Sequence, residues 1–163
     1  MNLVQTLQAA GEDFEWYPTT GRMIASIASA LHETRVESIL DIGAGDGRVL
    51  RQLAESLKQP TLYAIEKSPI LLQAQPENVT PVGTEFFEQD LMGLPMDVVV
   101  CNPPYSDYEA WAARIISTAH AHFVFLVLPT RWKESPAITE ALAKRDATAT
   151  VIHSDDFLTQ TIT

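Results

Sequence analysis

The chain has 163 residues and a mass of 18.0 kDa, the size of one domain. Its 46% hydrophobic and 20% charged residues are ordinary globular usage, which excludes a disordered or collagen-like chain. With 11 basic against 21 acidic residues, the formal charge of −10 argues against a domain that grips a phosphate backbone unaided.

No apolar run reaches the roughly 20 residues of a membrane helix, and the N-terminus carries no basic and apolar signal segment. A single cysteine forms no internal disulfide, so a cytoplasmic location is expected. No repeat, low-complexity tract or linker divides the chain, so one domain is expected over residues 1–163. In chain order, Thr19 and Thr20 are cap candidates for a helix whose apolar stripe is Ile24, Ile27, Ala28 and Leu31. A strand is predicted at Ser38–Ile42, then a glycine cluster and a helix with Leu50, Leu53, Ala54 and Leu57 on one face. Further strands are expected at Leu62–Glu66, Thr84–Phe87 and Asp97–Cys101. Ser106 with Glu109 reads as a capping box before a stripe of Tyr108, Trp111, Ala112, Ile115 and Ile116. Phe123–Leu128 is apolar without alternation, as for a strand covered on both faces. Ser135 before Pro136 opens another helix, and Thr148–His153 reads as a sixth strand. Strands alternating with helices imply an open, doubly wound α/β domain with a mostly parallel sheet, whose ligands sit at the carboxyl ends of the strands.

The motifs fall at those ends. In Asp41-Ile-Gly-Ala-Gly-Asp-Gly47, the glycines Gly43, Gly45 and Gly47 permit a tight turn and close backbone approach to a ligand. Asp41, at the strand's end, would repel a pyrophosphate but suits an ammonium group. Glu66 ends the next strand, where an acid accepts ribose hydroxyls, and Asp90 follows the third, placed to accept from an adenine amine. This set resembles the class I S-adenosylmethionine-dependent methyltransferase family. The resemblance implies S-adenosylmethionine as cofactor, with Asp41 and the glycine loop on its methionine part, Glu66 on the ribose and Asp90 on the adenine.

The fourth strand ends in Asn102-Pro103-Pro104-Tyr105. The prolines stop the strand and remove backbone donors, leaving the Asn102 side-chain oxygen and the Pro103 carbonyl to accept both N–H bonds of an amine. Such an amine, with its lone pair delocalised into a ring, is a poor nucleophile. Two acceptors favour its pyramidal transition state over the planar ground state. Tyr105 offers a flat face for a base, one delivered by flipping out of its duplex. The tetrapeptide resembles the signature of N6-adenine DNA methyltransferases, shared with some RNA methylases and with protein-glutamine methyltransferases of the release-factor type. Upstream, Phe14-Glu-Trp-Tyr-Pro-Thr-Thr20 resembles the aromatic-proline element of DNA adenine methylases in restriction systems, which implies that Tyr17, Pro18 and Thr19 close over the cofactor. Here the threonine follows the proline instead of preceding it.

After the fifth strand, Leu128-Pro-Thr-Arg-Trp-Lys133 sets two cations and an indole on the rim. Arg131 and Lys133 are candidates for substrate phosphate, and Trp132 for flanking the base. Cys101 reads as a small buried strand residue, and Asp155-Asp156 as a solvated turn. His32, His120, His122 and His153 lack ligand spacing, so no metal is expected. The resemblance covers residues 14–157, and its family's sheet ends in a hairpin whose seventh strand Thr159–Thr163 could only begin. A recognition region or partner chain is therefore expected to supply the grip on DNA. The expected activity is methyl transfer to adenine N6, most simply in DNA. The alternatives are an RNA base, a protein glutamine amide, or a non-catalytic cofactor-binding partner.

Overall fold

The computed structural model describes residues 2–11 and 17–154. The helices are α1 (Leu3–Ala10), α2 (Gly21–Ala30), α3 (Arg48–Ser56), α4 (Pro69–Ala74), α5 (Tyr108–Thr118) and α6 (Pro136–Lys144). The strands are β1 (Ser38–Ile42), β2 (Thr61–Ile65), β3 (Val79–Gly83), β4 (Met96–Cys101) and β5 (Ala121–Leu126). They form one sheet in the order β3-β2-β1-β4-β5, and every pairing is parallel. The doubly wound α/β architecture expected from the alternation is what the chain adopts.

Strand side chains alternate between faces, and each face has its own cover. Ile39, Leu62, Ala64, Val98 and Val100 pack against Ile24, Ile27 and Leu31 of α2 and Leu50 and Leu53 of α3. Leu40, Ile42, Ile65, Val99 and Cys101 pack on the other side with Phe86, Leu91 and Ile115. Helix starts follow local chemistry. The Thr20 hydroxyl accepts from Met23 N, and Ser68 and Ser135 cap α4 and α6 with proline in the first turn of each. The first helix has a full capping box, Asn2 with Gln5, and a left-handed Gly11 at its C-cap.

Several expectations are corrected. The third strand is Val79–Gly83, not Thr84–Phe87; Phe86–Glu88 is instead a turn of 3₁₀ helix. Pro81 argues against a strand by composition, but β3 lies at the sheet edge, where a missing N–H breaks no ladder. Ser106 does not cap α5: the N-cap position is Asp107, without a side-chain cap bond. Glu109 instead accepts a hydrogen bond from the Ser135 hydroxyl, tying α5 to the start of α6. The fifth strand is not covered on both faces, since Phe123 and Val124, which point to opposite sides, are 41% and 37% exposed. Thr148–His153 forms no strand. It joins no strand ladder among the described residues and meets α2 through a 3.0 Å contact between His153 Nδ1 and Ser26 Oγ, and β propensity without a ladder does not make a strand. The aromatic positions 14–16, Asp155-Asp156 and Thr159–Thr163 lie outside the described residues.

The chain runs outward from β1 through β2 to β3, then returns to place β4 on the other side of β1. That reversal opens a crevice at the carboxyl ends of β1 and β4. Ile42 pairs with Ile65 on one side and Cys101 on the other, so Gly43, Glu66 and Asn102 leave the sheet side by side.

Candidate active site

A cleft of roughly 830 Å³, its open mouth included, lies at this switch point. Tyr17, Pro18, Thr19, Asp41, Gly43, Glu66, Asn102 and Pro104 all line it, so elements spread over more than half the sequence converge there. Gly45 and Gly47 complete the loop that forms its floor. All three glycines have left-handed backbone, with φ of 74°, 56° and 77°, which a side chain disfavours. The loop is clipped from below: Gly43 N and Ala44 N donate to the Ile65 carbonyl at 2.8 and 3.1 Å.

Glu66, only 6% exposed, serves this loop directly. One carboxylate oxygen accepts from Gly45 N and the other from Ser68 N, both at 2.8 Å. A carboxylate offers about four acceptor positions, and this one also lines the cleft wall, where sugar hydroxyls suit it. Asp41 is 3% exposed, and its carboxyl is pushed up to about 8 by burial first, then by the charges of Glu66 and Asp46. Burial also works against the charge on Asp46, but hydrogen bonds from Arg48 and its positive charge hold that carboxyl below its usual range. Burial and the nearby Asp41 push the Cys101 thiol well up, in keeping with an inert strand residue.

Asn102 has a fixed orientation. Its Nδ2 donates to the Tyr17 carbonyl at 2.8 Å and to Thr19 Oγ1 at 3.2 Å. A carbonyl only accepts, so the amide nitrogen must face it, and Oδ1 is left as an acceptor on the cleft side. The sequence placed Tyr17 and Thr19 against the cofactor. The structure adds that the backbone of Tyr17 and the hydroxyl of Thr19 aim the Asn102 side chain. Pro103 is buried, and its carbonyl accepts no backbone hydrogen bond among the described residues. Tyr105 is 54% exposed and does not line the cleft itself, but follows Pro104, which does.

Two sequence-derived assignments shift. Asp90 is exposed and is absent from the cleft wall; its Oδ1 accepts from Met92 N and Gly93 N at 3.1 and 3.2 Å, closing a turn. That end of the cleft is walled by Glu85, Phe86 and Trp111 instead, with the two rings 4.5 Å apart. Both aromatics were legible only as core: Phe86 as the end of a strand, Trp111 as part of a helical stripe. The rim trio also splits. Arg131 lies over the rings of Tyr105 and Tyr108, at 5.3 and 5.8 Å from their centroids. Trp132 packs with Tyr108, Ala112 and Ile138 between α5 and α6, and Lys133 lies over its indole at 5.7 Å. Trp132 thus packs into the core and does not flank the Asn102–Tyr105 loop; in the 3₁₀ turn Thr130–Glu134, at three residues per turn, successive side chains leave in different directions. Sequence reading also missed Gln75, whose side chain donates to the Gly45 carbonyl at 2.8 Å, and Lys67, paired to Glu85 at 2.9 Å.

The donor set fits S-adenosylmethionine. Asp41 suits its ammonium, Glu66 its ribose hydroxyls, the open glycine floor its close approach, and Phe86 with Trp111 a flat ring.

Comparison with known proteins agrees with this geometry. Release factor glutamine methyltransferase of Bacillus cereus is 33% identical over 81 residues, 45% of this chain and 29% of that protein. The enzyme of the same name from Moorella thermoacetica is 30% identical over 91 residues, 51% of this chain and 32% of its own length. The chain therefore spans about a third of the curated relatives it matches. Among solved structures, a precorrin-6y C5,15-methyltransferase from Geobacter metallireducens superposes with a TM-score of 0.57 at 21% identity, over 78% of this chain and 73% of that one. An RNA methyltransferase from Salinibacter ruber, bound to S-adenosyl-L-homocysteine, gives 0.53 at 19%, over 63% and 71%. At such identities these two likenesses speak for the fold alone. The model of the methyltransferase small domain matches residues 24–125, well over half of the chain. The chain belongs to the methyltransferase small domain family.

Proposed function

We propose that this chain transfers a methyl group from S-adenosylmethionine to a planar –NH2 group, the N6 amine of adenine in nucleic acid, with DNA as the expected form. The observation that carries the reading is the orientation of Asn102. With Nδ2 committed to Tyr17 and Thr19, the side chain presents an acceptor and not a donor, which selects a substrate nitrogen bearing hydrogens. When bound, S-adenosylmethionine supplies an electrophilic methyl group. Asn102 Oδ1 and the Pro103 carbonyl accept the two N–H bonds, which stabilises the pyramidal nitrogen as its lone pair leaves the ring. Tyr105 gives the ring a face to lie on, a contact worth about 1–3 kcal/mol. After transfer the extra proton passes to solvent at the open mouth of the cleft.

A second reading, methylation of a glutamine side-chain amide, is favoured by the relatives that carry that activity in their names and by the chain's net charge of −10. A carboxamide is also a planar –NH2 and needs the same two acceptors. Labelled S-adenosylmethionine offered with adenine-containing DNA, RNA or a glutamine-containing peptide separates these. The proposal expects N6-methyladenine on mass analysis of the DNA. Loss of Asn102 in Asn102→Ala is expected to lower kcat about 100-fold or more while binding of S-adenosylhomocysteine changes only a few-fold. Label on the peptide alone would replace the first reading by the second.

A further inference from the structure

In a chain of net charge −10, Arg131 lies against aromatic rings beside the Asn102–Tyr105 loop. Its closest partners are rings: the guanidinium lies 5.3 Å from the centroid of Tyr105 and 5.8 Å from that of Tyr108. The two rings are 6.5 Å apart and inclined at 44°. Arg48 and Lys67, the cations that line the cleft, are paired to Asp46 and Glu85 at 2.8 and 2.9 Å. Among the described residues Arg131 makes no salt bridge; its acidic neighbour Glu109 is engaged by the Ser135 hydroxyl.

The difference has a physical consequence. Cation–π contact holds a guanidinium without cancelling its charge, whereas a carboxylate would neutralise it. Tyr108 is buried, at 5% exposure, and anchors the arrangement, while Arg131 is exposed and Tyr105 stands open beside it. A guanidinium carries five N–H donors in a planar fork. With no carboxylate paired to it among the described residues, those donors can meet an oxyanion beside whatever lies on Tyr105. Asn102 and Tyr105 belong to the loop after β4, and Arg131 to the turn after β5, so adjacent parallel strands set the amine acceptor and the cation at one rim.

We propose that Arg131 is a specificity-determining residue that binds the phosphate flanking the target adenine, while its face holds the Tyr105 ring for the base. This rests on the adenine reading above. Arginine matches phosphate geometry with two parallel N–H bonds, so one side chain would couple a charge contact to a stacking contact within a single nucleotide. Arg131 does not touch the reacting nitrogen, and its loss acts on substrate capture, not on the methyl transfer step.

The test is a cycle between protein and substrate. The intact chain and Arg131→Ala are assayed on an adenine-bearing oligonucleotide with natural phosphates and on one with neutral methylphosphonates flanking the adenine. The expected result is a KM about tenfold higher for Arg131→Ala on the natural strand, with kcat and S-adenosylhomocysteine binding within twofold of the intact chain. On the neutral strand the two proteins should have equal KM, and the salt dependence of binding should fall by about one phosphate equivalent in the variant. Arg131→Lys should recover the salt dependence but only part of the KM. If the intact chain methylates adenine and the two perturbations multiply independently, the inference fails and the function stands. If the intact chain places no methyl on adenine, the function reading fails and the inference with it.

Discussion

Replacing Asp41 by asparagine exchanges a carboxyl for a carboxamide of the same shape and separates two demands on this position. Asp41 is 3% exposed, and no hydrogen bond reaches its side chain from the described residues. Its folded pKa is about 8 against 3.8 when free. Between those values the folded chain keeps a proton that the unfolded chain has lost. The unfolded state thus binds fewer protons, and stability falls as pH rises through that window. At about 1.4 kcal/mol per pH unit, the penalty approaches 4 kcal/mol at pH 7 for a shift of this size. An asparagine does not titrate. Without cofactor, Asp41→Asn should therefore gain on the intact chain as pH rises from 4 to 7, by on the order of 10 °C in Tm for a domain of this length.

The same substitution should damage binding. A ligand ammonium is best met by the ionised carboxylate, so the affinity of the intact chain for S-adenosylhomocysteine should rise from pH 6 to pH 8. The gain is up to about tenfold per unit, as the cost of ionising Asp41 disappears. Binding below pH 8 should release a proton, visible in calorimetry as heat that depends on the buffer. Asp41→Asn should bind more weakly and with little pH dependence. Thermal unfolding by circular dichroism across pH 4–7 and calorimetric titration across pH 6–8 measure both effects. A Tm difference between the two chains that stays constant with pH would refute the desolvation argument.

Three further substitutions test the scaffold. Thr19→Val keeps shape but removes one of two acceptors from Asn102 Nδ2; a lost hydrogen bond of about 1 kcal/mol should lower kcat about fivefold, and an unchanged kcat would show that the Tyr17 carbonyl alone aims the amide. Glu66→Gln turns an –NH2 toward a backbone N–H, Gly45 or Ser68. It should cost about 1–3 kcal/mol in urea unfolding, with no loss if the clip is dispensable. Gly47→Ala places a methyl at φ 77° and 2.8 Å from the Pro76 ring. It should lower Tm by several degrees and weaken S-adenosylhomocysteine binding together, since both strain and clash fall on the cofactor floor.

What could be read from sequence was chemistry tied to a strand end. Asp41, the glycines, Glu66 and Asn102 each follow an apolar run directly, so locating the strand located the residue, and parallel register then brought them together. What could not be read depends on which distant surfaces meet. Trp111 reaches the cleft only because α5 packs beneath the glycine loop, its ring 3.5 Å from where a Cβ of Gly43 would stand. Gln75 meets the Gly45 carbonyl across 30 residues, after a short helix whose apolar signal is weak. Asp90 follows Phe86–Glu88 as expected of an acid after the third strand, but that strand ends at Gly83, and the intervening turn carries Asp90 away from the cleft. The error came from reading Phe86 and Phe87 by propensity, when their place is on the cleft-side aromatic cluster with Trp111.

The net charge of −10 takes on a different meaning once the acids are located. Asp97 accepts from Glu37 N and Ser38 N at 2.7 and 3.1 Å and joins the starts of β1 and β4. Glu66 clips the glycine loop, Asp90 closes a turn, Glu109 links α5 to α6, and Asp46 is neutralised by Arg48. Several of these carboxylates accept backbone N–H groups at loops and strand ends, so part of the acidity serves the fold and the cofactor cleft. It still repels a polyanion at long range, which slows encounter more than it alters chemistry at contact. Arg131, held by the rings of Tyr105 and Tyr108, answers that repulsion within one nucleotide of the amine under the proposed reading. Under the proposed reading, the chain recognises a base and its own phosphate locally, and affinity for a longer strand has to come from surfaces other than this cleft.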